Sequence, residues 1–373
     1  MNKLCSATLG ATFLVGALAG QNASPASTPA STDTQTYFWL GLWPDLIIKF
    51  DPVTDEIVQS VKLRHGLQWG VRLSHNQKEF FVITDQRRKL EVLDIEKGEV
   101  VEEHDFQEEG HIIRIRSVME IPGGTHWYVN IDRIEQKLDH FVIQRPQWLR
   151  YDIANKKIEE STDQLPEPIR RGARISPDGE KWHVFGGDIK ILDPETLEEE
   201  GVIDLTTPLY SGMGAIRPSG EDFYHSRNPD AYRMMYTMTD PVQDERSLFG
   251  VVDINIKDRK VEGVTEWGAN PGYRGFFMSK DRTVGVASTT GDGRGYERRV
   301  KLVMFDLENG KRLRETMEQF SPRRQLTAIS PDGKKLYIGG AGNHFLVLNE
   351  QLERVKTVEF DGDMYGFIFV VDG

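Results

Sequence analysis

Cysteine is almost absent from this chain of 373 residues, in which Cys5 is the only one. Cys5 lies in an N-terminal segment that we expect to be removed, so the mature chain would contain no cysteine. Such a chain cannot form a disulfide, use a thiolate nucleophile, attach haem through Cys-x-x-Cys-His or bind a metal through thiolates. Any redox centre would therefore belong to another chain or to a noncovalent cofactor, and we expect no cofactor on this chain itself.

The chain also lacks an apolar stretch long enough to span a bilayer. The apolar stretch at residues 7–18 is too short for a transmembrane helix, but it follows Lys3 and precedes small residues, as in a secretory signal peptide. We therefore predict a signal peptide at residues 1–19 and a disordered linker rich in Ser, Thr, Pro and Ala at residues 20–36. The protein is then periplasmic or secreted and has no membrane span.

Basic residues are in deficit, and no long helical period is present. Lys and Arg number 46 against 58 Asp and Glu, which gives a formal net charge of −12 and a pI near 5.3. This charge argues against nucleic acid or an anionic membrane surface as the main partner. Apolar residues occur instead in short, alternating, strand-length segments, which indicates an all-β fold.

What the chain does contain is a repeat in which an apolar strand ends in Asp or Asn and enters a short turn. A carboxylate or amide at this position accepts a hydrogen bond from backbone N–H groups two residues on and so nucleates the turn. The copies recur about every 50 residues, a period typical of propeller blades with several strands each. The seven turn residues are Asp51, Asp94, Asp152, Asp193, Asp253, Asp306 and Asn349.

A second repeated marker supports the same period. Ser176-Pro177-Asp178-Gly179 and Ser330-Pro331-Asp332-Gly333 each join an apolar run to a β-rich run. Because Pro presets the turn dihedral and Gly accepts a positive φ, this tetrapeptide predicts the hairpin between the first and second strands of a blade.

Together the two markers predict an all-β, seven-bladed β-propeller over residues 37–373. The first blade lacks its inner strand, since residues 37–40 already have the pattern of a second strand. The C-terminal residues 365–373 have the pattern of an inner strand without a blade of its own. We therefore expect the C-terminal strand to pair into the first blade and close the ring, which removes the exposed edges of an open sheet.

One rim of a propeller carries the loops that enter the inner strands and the loops that join second and third strands. Three of the latter are long, which is costly to order and often functional. They are residues 130–147, 226–245 and 288–299. Met and Tyr residues make the second of these adaptable, which suits a partner surface and, equally, burial against the propeller's own rim.

Arg, His and aromatic residues gather at the start of the inner strands, around the predicted mouth of the central channel. In an acidic protein such a mouth suits an anionic ligand or an acidic partner segment. The alternative is that the arginines neutralise carboxylates and carbonyls between blades. We assign no catalytic residue and no metal ligand, because no tight ligand spacing is present. The predicted partner- or ligand-binding residues are His65, Trp69, His111, Arg114, Arg171, Tyr273, Arg274, Arg323 and Tyr365.

Three segments resemble a known family. Residues 138–147, which run into residues 149–152, resemble the blade-three insertion of the quinohemoprotein amine dehydrogenase β-subunit, and residues 187–197 are also similar to it. Residues 333–341 are similar to it and to the broader group of YVTN-repeat propellers. The resemblance implies a periplasmic propeller that packs on a dihaem cytochrome subunit and on a small subunit carrying a tryptophan-derived quinone. It also implies that this chain frames the site, whereas haem and quinone lie on its partners.

We therefore interpret the chain as an exported, noncatalytic scaffold or binding subunit, and the complex we favour is an amine dehydrogenase-like one. Two alternatives stay open. One is a stand-alone propeller enzyme, such as a lactonase or lyase that works with His and Arg at the channel mouth. The other is a propeller that binds a peptide or a small anion without turnover.

Overall fold

The computed structural model describes residues 35–67, 70–163, 173–219, 228, 230–243, 245–270, 272–273, 275–290, 297, 299–319, 325–340 and 342–373. These residues belong to one compact unit, Gln35–Gly373. The predicted signal peptide and nearly all of the predicted linker lie outside the described residues. The first strand begins at Thr36, the last residue of the predicted linker.

The described residues form β-strands joined by turns, with one 3₁₀ turn at Asp85–Arg87. The strands are β1 (Thr36–Trp43), β2 (Leu46–Asp51), β3 (Glu56–Lys62), β4 (Val71–Leu73), β5 (Glu79–Thr84), β6 (Lys89–Asp94), β7 (Glu99–Asp105), β8 (His111–Glu120), β9 (His126–Gln136), β10 (Phe141–Ile143), β11 (Gln147–Asp152), β12 (Lys157–Thr162), β13 (Ala173–Ile175), β14 (Trp182–Phe185), β15 (Ile189–Leu192), β16 (Glu199–Ile203), β17 (Arg217–Ser219), β18 (Ala231–Thr239), β19 (Ser247–Asn255), β20 (Lys260–Ala269), β21 (Gly275–Met278), β22 (Val284–Thr290), β23 (Arg299–Asp306), β24 (Lys311–Gln319), β25 (Gln325–Ile329), β26 (Leu336–Gly340), β27 (His344–Leu348), β28 (Arg354–Glu359) and β29 (Asp363–Asp372).

The strands form seven antiparallel sheets, and most neighbours in a sheet are consecutive in the chain. Sheet one has the order β29-β1-β2-β3. Sheets two, four, five, six and seven are β4–β7, β13–β16, β17–β20, β21–β24 and β25–β28. Sheet three has five strands, because β10 pairs with the distal end of β9 beside the path β8-β9-β11-β12.

Each sheet packs against its neighbours with both faces, because alternate side chains of a strand point to opposite faces. In sheet one, Phe38 packs edge-on against Tyr337 of sheet seven, whereas the next residue, Trp39, packs against Phe80 of sheet two. Seven apolar clusters lie between pairs of sheets in this way, including one between the first sheet and the seventh. Seven antiparallel sheets packed in this order are the arrangement of a seven-bladed β-propeller.

The last strand of the chain is the neighbour that β1 lacks in the local sequence. β29 pairs antiparallel with β1, from Thr36 opposite Asp372 to Trp43 opposite Asp363. The Thr36 hydroxyl donates to Asp372 Oδ1 at 2.7 Å, and Lys280 Nζ donates to the same oxygen at 2.8 Å. A segment 336 positions along the chain therefore completes sheet one.

The predicted Asp turns are confirmed in six of the seven sheets. In each of these, the side-chain oxygen accepts hydrogen bonds from backbone N–H groups two to four residues on. Asp193 Oδ1, for example, accepts from the N–H groups of Glu195 and Thr196 at 2.9 and 2.8 Å. The chain therefore reverses at these points through local side-chain hydrogen bonds.

The assignment of the turn in sheet five to Asp253 is wrong by two residues. β19 continues through Asp253, and Asn255 makes the turn by accepting from the Asp258 N–H at 2.8 Å. Asp253 lies inside the strand with Arg233 Nε 3.4 Å from its Oδ1, and burial raises its pKa. An Asn that can cap the turn two positions later allowed the strand to extend.

The two Ser-Pro-Asp-Gly segments make the predicted hairpins between β13 and β14 and between β25 and β26. The Gly179 N–H donates to the Ser176 carbonyl at 2.8 Å, and the Gly333 N–H donates to the Ser330 carbonyl at 2.9 Å. Both glycines have positive φ, at +84° and +70°. The tetrapeptide therefore acts through the backbone conformation that favours glycine.

Two buried His–Tyr hydrogen bonds link successive sheets. His104 Nδ1 lies 2.9 Å from the Tyr151 hydroxyl between sheets two and three, and His183 Nδ1 lies 2.6 Å from the Tyr232 hydroxyl between sheets four and five. Burial lowers the pKa of each imidazole to about 4. Both histidines are therefore neutral in the folded chain near pH 7.

We expect the free energy of unfolding to fall as the pH is lowered from about 6.5 to about 4. In this window His104 and His183 take up protons in the unfolded chain, where the pKa is 6.5, but not in the folded chain, where it is about 4. Each pKa unit corresponds to about 1.4 kcal/mol, so the two groups contribute several kcal/mol. Urea unfolding at pH 7, 5.5 and 4.5 measures the effect. The pH dependence should be shallower in His183→Gln, and equal slopes for this variant and the wild type would contradict the assignment.

Deletion of residues 365–373 should destabilise the protein strongly. The deletion removes most of the partner of β1 and the buried side chains of Phe369 and Val371, and each large apolar side chain contributes about 1.5–3 kcal/mol when fully buried. We expect the melting temperature to drop by several degrees or more, with Phe369→Ala giving a smaller drop. A truncated chain that melts within about a degree of the intact one would show that the pairing contributes little.

Candidate functional site

The predicted site falls only partly on residues that the structure describes. His65, His111, Arg114 and Tyr273 are described with their side chains. The roles of the other five residues remain predictions. Trp69, Arg171, Arg274 and Arg323 lie outside the described residues, and of Tyr365 only the backbone is described, in β29.

His65 lies against the outer strands of sheet two, away from the first strand of that sheet. Its Nε2 is 2.8 Å from Glu103 Oε2 of β7, and Lys89 Nζ donates to Glu103 Oε1 at 2.6 Å. Hydrogen bonds from Lys89 and His65 lower the pKa of Glu103. The fully buried carboxylate of Glu91 accepts from the backbone N–H groups of Arg64 and His65 at 2.9 and 3.0 Å. These contacts hold Arg64 and His65, in the segment that connects sheets one and two, against β6 and β7.

Arg114 belongs to a group of charged residues on β8, on β9 and in the 3₁₀ turn of sheet two, here named the sheet-three arginine cluster: Arg87, Arg114, Arg116 and Asp132. Arg116 Nε lies 3.1 Å from Asp132 Oδ1, and Arg87 Nη2 lies 3.5 Å from Asp132 Oδ2. Arg114 is exposed and stands directly opposite Asp132 in the strand register. Two guanidinium groups therefore contact one carboxylate, and a third arginine lies on the strand beside it.

Arg87 reaches the cluster from the neighbouring sheet through an unusual turn. Asp85, Gln86 and Arg87 all have positive φ, at 47°, 52° and 71°. A left-handed conformation costs a non-glycine residue about 1–2 kcal/mol, so other contacts must hold this turn. Arg88 Nη2 donates to Asp85 Oδ1 at 2.8 Å, and Arg87 Nε donates to the Ile115 carbonyl of β8 at 3.0 Å. The turn thus directs a cation from sheet two across the first strand of sheet three.

His111 and Tyr273 differ in what surrounds them. His111 begins β8, three residues before Arg114, and its Nδ1 lies 3.2 Å from the Glu109 carbonyl. Tyr273 packs with its ring centroid 4.7 Å from that of Phe249, and burial raises the pKa of its hydroxyl. His111 therefore lies on the strand of Arg114 but on the face of Ile113 and Ile115, whereas Tyr273 contributes to the apolar packing between sheets five and six.

The insertion predicted at residues 130–147 is a projecting hairpin, formed by the distal half of β9 and by β10. The Lys137 N–H donates to the His140 carbonyl at 2.9 Å across its tip. Its apolar side chains face solvent, with Leu138 fully exposed, Phe141 59 % exposed and Ile143 74 % exposed. An exposed apolar edge strand is a feature that proteins usually cover or charge. We name this segment the sheet-three hairpin.

The prediction of a long loop at residues 226–245 is wrong. This range contains β18, the second strand of sheet five, and its Met and Tyr residues are buried. Tyr232, Met234, Tyr236 and Met238 pack in the cluster between sheets four and five, while Met235 packs toward sheet six. These side chains are therefore buried, but between sheets and not against the rim, as the alternative had expected. Most of the predicted loop at residues 288–299 lies outside the described residues.

A cavity of about 180 Å³ lies between the first strands of sheets two, three and four. Arg72 of β4, Arg174 of β13 and Glu120 of β8 provide its charged lining, and Phe81 and Trp182 are among its apolar walls. Glu120 Oε2 also accepts from the His75 N–H at 2.7 Å. Together with the sheet-three arginine cluster, this places five arginines on the first strands, or beside them, in three successive sheets.

Four of these arginines were not predicted from the sequence. The predicted site residues lie just before or at the start of the inner strands, as Arg114 does, and the alternation of polar and apolar residues within those strands was not used. In β8, Arg114 and Arg116 alternate with the buried Ile113 and Ile115, a pattern that was visible in the sequence. Arg87 could not have been placed in the same way, because its position depends on the left-handed turn.

No family model matches the chain, and no curated protein matches it. Among the described residues, no helix has the length and apolar character needed to cross a membrane.

Solved structures resemble the chain only distantly. The dihydro-heme d1 dehydrogenase NirN in complex with DHE is 12 % identical, with a TM-score of 0.47, and the match covers 92 % of this chain and 77 % of that one. A functionally unknown protein from Desulfotomaculum acetoxidans is 11 % identical over 89 % of this chain and 98 % of that one, also at 0.47. BamB from Moraxella catarrhalis is 14 % identical over 88 % and 91 %, at 0.40. Likenesses of this size carry no functional argument.

Proposed function

We propose that the chain is a noncatalytic scaffold subunit that binds a protein partner through the sheet-three hairpin. The observation that carries the proposal is the exposure of Phe141 and Ile143 on a strand at the edge of its sheet and of Leu138 in the turn before it. Burial of such side chains against a partner is worth about 25 cal/mol per Å² of apolar area. A sheet edge can also pair with a strand of another chain. The hairpin therefore offers both apolar area and unused backbone positions.

The kind of partner follows from the same segment. Residues 138–147 carry the resemblance to the quinohemoprotein amine dehydrogenase β-subunit, and they form the tip and the return strand of the sheet-three hairpin. We infer a complex of the amine dehydrogenase type, in which a dihaem cytochrome subunit and a quinone-bearing small subunit hold the cofactors. In this complex the chain is a periplasmic or secreted frame for the site on its partners.

A scaffold of this kind needs a rigid ring. We propose that the pairing of β29 with β1 closes the seven sheets into a ring, which leaves the hairpin projecting from a fixed frame. The packing of sheet one on sheet seven around Phe38 and Tyr337 supports the closure. So does the fastening of the connection between sheets one and two by the buried Glu91.

A second function is favoured by a different observation, namely the sheet-three arginine cluster. Two guanidinium groups contact the single carboxylate of Asp132, and Arg114 stands opposite it in the strand register, so an anion could take the remaining hydrogen-bond donors. We propose binding of a small carboxylate or phosphate, or of an acidic partner segment, at this cluster. The exposure of Arg114 and Arg116 leaves their donors accessible from solvent.

The scaffold proposal predicts that polar substitutions on the hairpin disrupt a complex. The double variant Phe141→Ser, Ile143→Ser should weaken association with the cytochrome and quinone-bearing subunits at least tenfold, about 1.4 kcal/mol, because it removes the apolar contact area. Co-purification from the native periplasm, followed by haem absorbance and mass spectrometry, measures this. Val53→Ser is the matched control, since Val53 is 67 % exposed at the turn after β2. If the wild type purifies without a partner, or if all three proteins retain it equally, the proposal is wrong.

The anion proposal predicts a salt-sensitive binding site. Isothermal titration with citrate or inorganic phosphate at low ionic strength should show binding that weakens with added NaCl, because exposed charges are screened. Arg116→Gln should weaken it at least fivefold, since a charge-assisted donor is lost. Arg354→Gln on the outer strand of sheet seven is the control and should leave binding unchanged. Equal affinities for Arg116→Gln and Arg354→Gln would contradict the assignment.

A further inference from the structure

A cluster of three metal-ligand side chains lies on sheet three, at the end of β9 opposite to the sheet-three hairpin. His126 of β9, Asp152 of β11 and Glu159 of β12 each offer one ligand atom, and these atoms all lie within 4.8 Å of one another. His126 stands opposite Asp152 in the strand register. A register shift between β11 and β12 turns Glu159 toward them. Three adjacent strands thus direct one imidazole and two carboxylates to the same point.

Sheet four contains the same arrangement with one difference. Lys181 stands at the position of His126, since the carbonyls of both residues accept the N–H that closes the preceding turn. Asp193 corresponds to Asp152 at the turn after the third strand. Glu200 corresponds to Glu159, because both lie at the register shift between the third and fourth strands.

The difference is the cation between the two carboxylates. In sheet four, Lys181 Nζ lies 3.4 Å from Asp193 Oδ2 and 2.9 Å from Glu200 Oε1. In sheet three, the corresponding position holds His126 Nε2, 3.1 Å from Glu159 Oε2. An imidazole nitrogen can be a metal ligand, whereas an ammonium has only donors to offer. The fold therefore places an ammonium between this pair of carboxylates in one sheet and an imidazole nitrogen in the next.

The surroundings of His126 orient it for a cation. Its Nδ1 lies 2.9 Å from Thr125 Oγ1. When Nδ1–H donates to that hydroxyl, the lone pair of Nε2 points toward Glu159, and two acceptors face each other. Metal-bound histidines are oriented in this way by a hydrogen bond at the other ring nitrogen. A metal ion between Nε2 and the carboxylate satisfies both acceptors.

Arg150 is a cation that contacts the cluster. Arg150 Nε lies 3.4 Å from Glu159 Oε2, and Arg150 Nη2 lies 3.0 Å from Glu195 Oε2. One cation is therefore shared between two carboxylates, while Asp152 adds a third negative charge. Asp152 also accepts from the N–H and the side-chain amide of Asn155, and these bonds fix its carboxylate in place.

We propose that His126, Asp152 and Glu159 bind a divalent transition-metal ion, with Zn²⁺ the best match. One imidazole and two carboxylates are ligands that Zn²⁺ accepts, and three protein ligands leave one position of a tetrahedral ion for water. Ca²⁺ and Mg²⁺ fit less well, because they select oxygen ligands. In sheet three the metal ion would lie between the two carboxylates, as Lys181 Nζ lies between those of sheet four. The proposal is independent of the scaffold function, since the hairpin lies at the other end of β9.

Zinc titration of the untagged chain in a non-chelating buffer tests the proposal. We expect one equivalent of ZnCl2 to bind with a dissociation constant below about 10 μM and to raise the melting temperature. His126→Lys should lower the affinity at least 100-fold. In metal-free buffer it should melt at or above the wild-type temperature, because it recreates the arrangement of sheet four. Glu159→Gln should weaken zinc binding by about 10–100-fold.

His140→Lys is the matched control, because His140 is an exposed histidine beside Asp139 that the proposal does not involve. It should bind zinc as the wild type does. Wild-type protein that binds no zinc at 1 mM would overturn the proposal. Equal zinc binding by His126→Lys and His140→Lys would overturn it as well, since the ion would then lie elsewhere.

Discussion

The face-to-face packing of successive sheets is the constraint on which the rest of the structure depends. A four-stranded sheet with apolar residues on both faces cannot be stable alone, so each sheet needs two neighbours. Phe38 and Trp39 show how this works, since adjacent residues of β1 pack into clusters with different sheets. The buried His–Tyr pairs obey the same rule, because each joins one sheet to the next. The candidate sites lie at strand ends, on the first strands and, for Glu159, on the outer strand β12.

The repeat itself could be predicted because it is encoded locally. An Asp at a strand end and a Ser-Pro-Asp-Gly hairpin act over four or five residues, so their geometry is visible in the sequence. The error at Asp253 arose because Asn255 can form the same turn two residues later. The error at residues 226–245 arose because the Met and Tyr residues of β18 were interpreted as an adaptable loop. Their spacing along the chain, which fits a strand, was not used.

The candidate sites were harder to predict, because they depend on contacts between segments far apart in the chain. Arg87 joins the arginine cluster through a left-handed turn, and the residue types of Asp85-Gln86-Arg87 do not predict that conformation. The His126 cluster joins ligands 26 and 7 positions apart in sequence, and no metal motif has that spacing. Only the strand register and a register shift bring the three side chains together. His126 of sheet three stands where sheet four has Lys181, and this correspondence also depends on the strand register.

The pairing of the two ends of the described chain also affects how the protein is made. The hydrogen bond between Thr36 and Asp372 spans 336 positions, so β1 has no partner on this side until β29 has been synthesised. Contacts of such sequence separation form slowly, and an unpaired apolar strand is prone to aggregate. Native order in sheet one therefore forms only after β29 has left the ribosome, and until then the free edge of β1 needs protection from other chains.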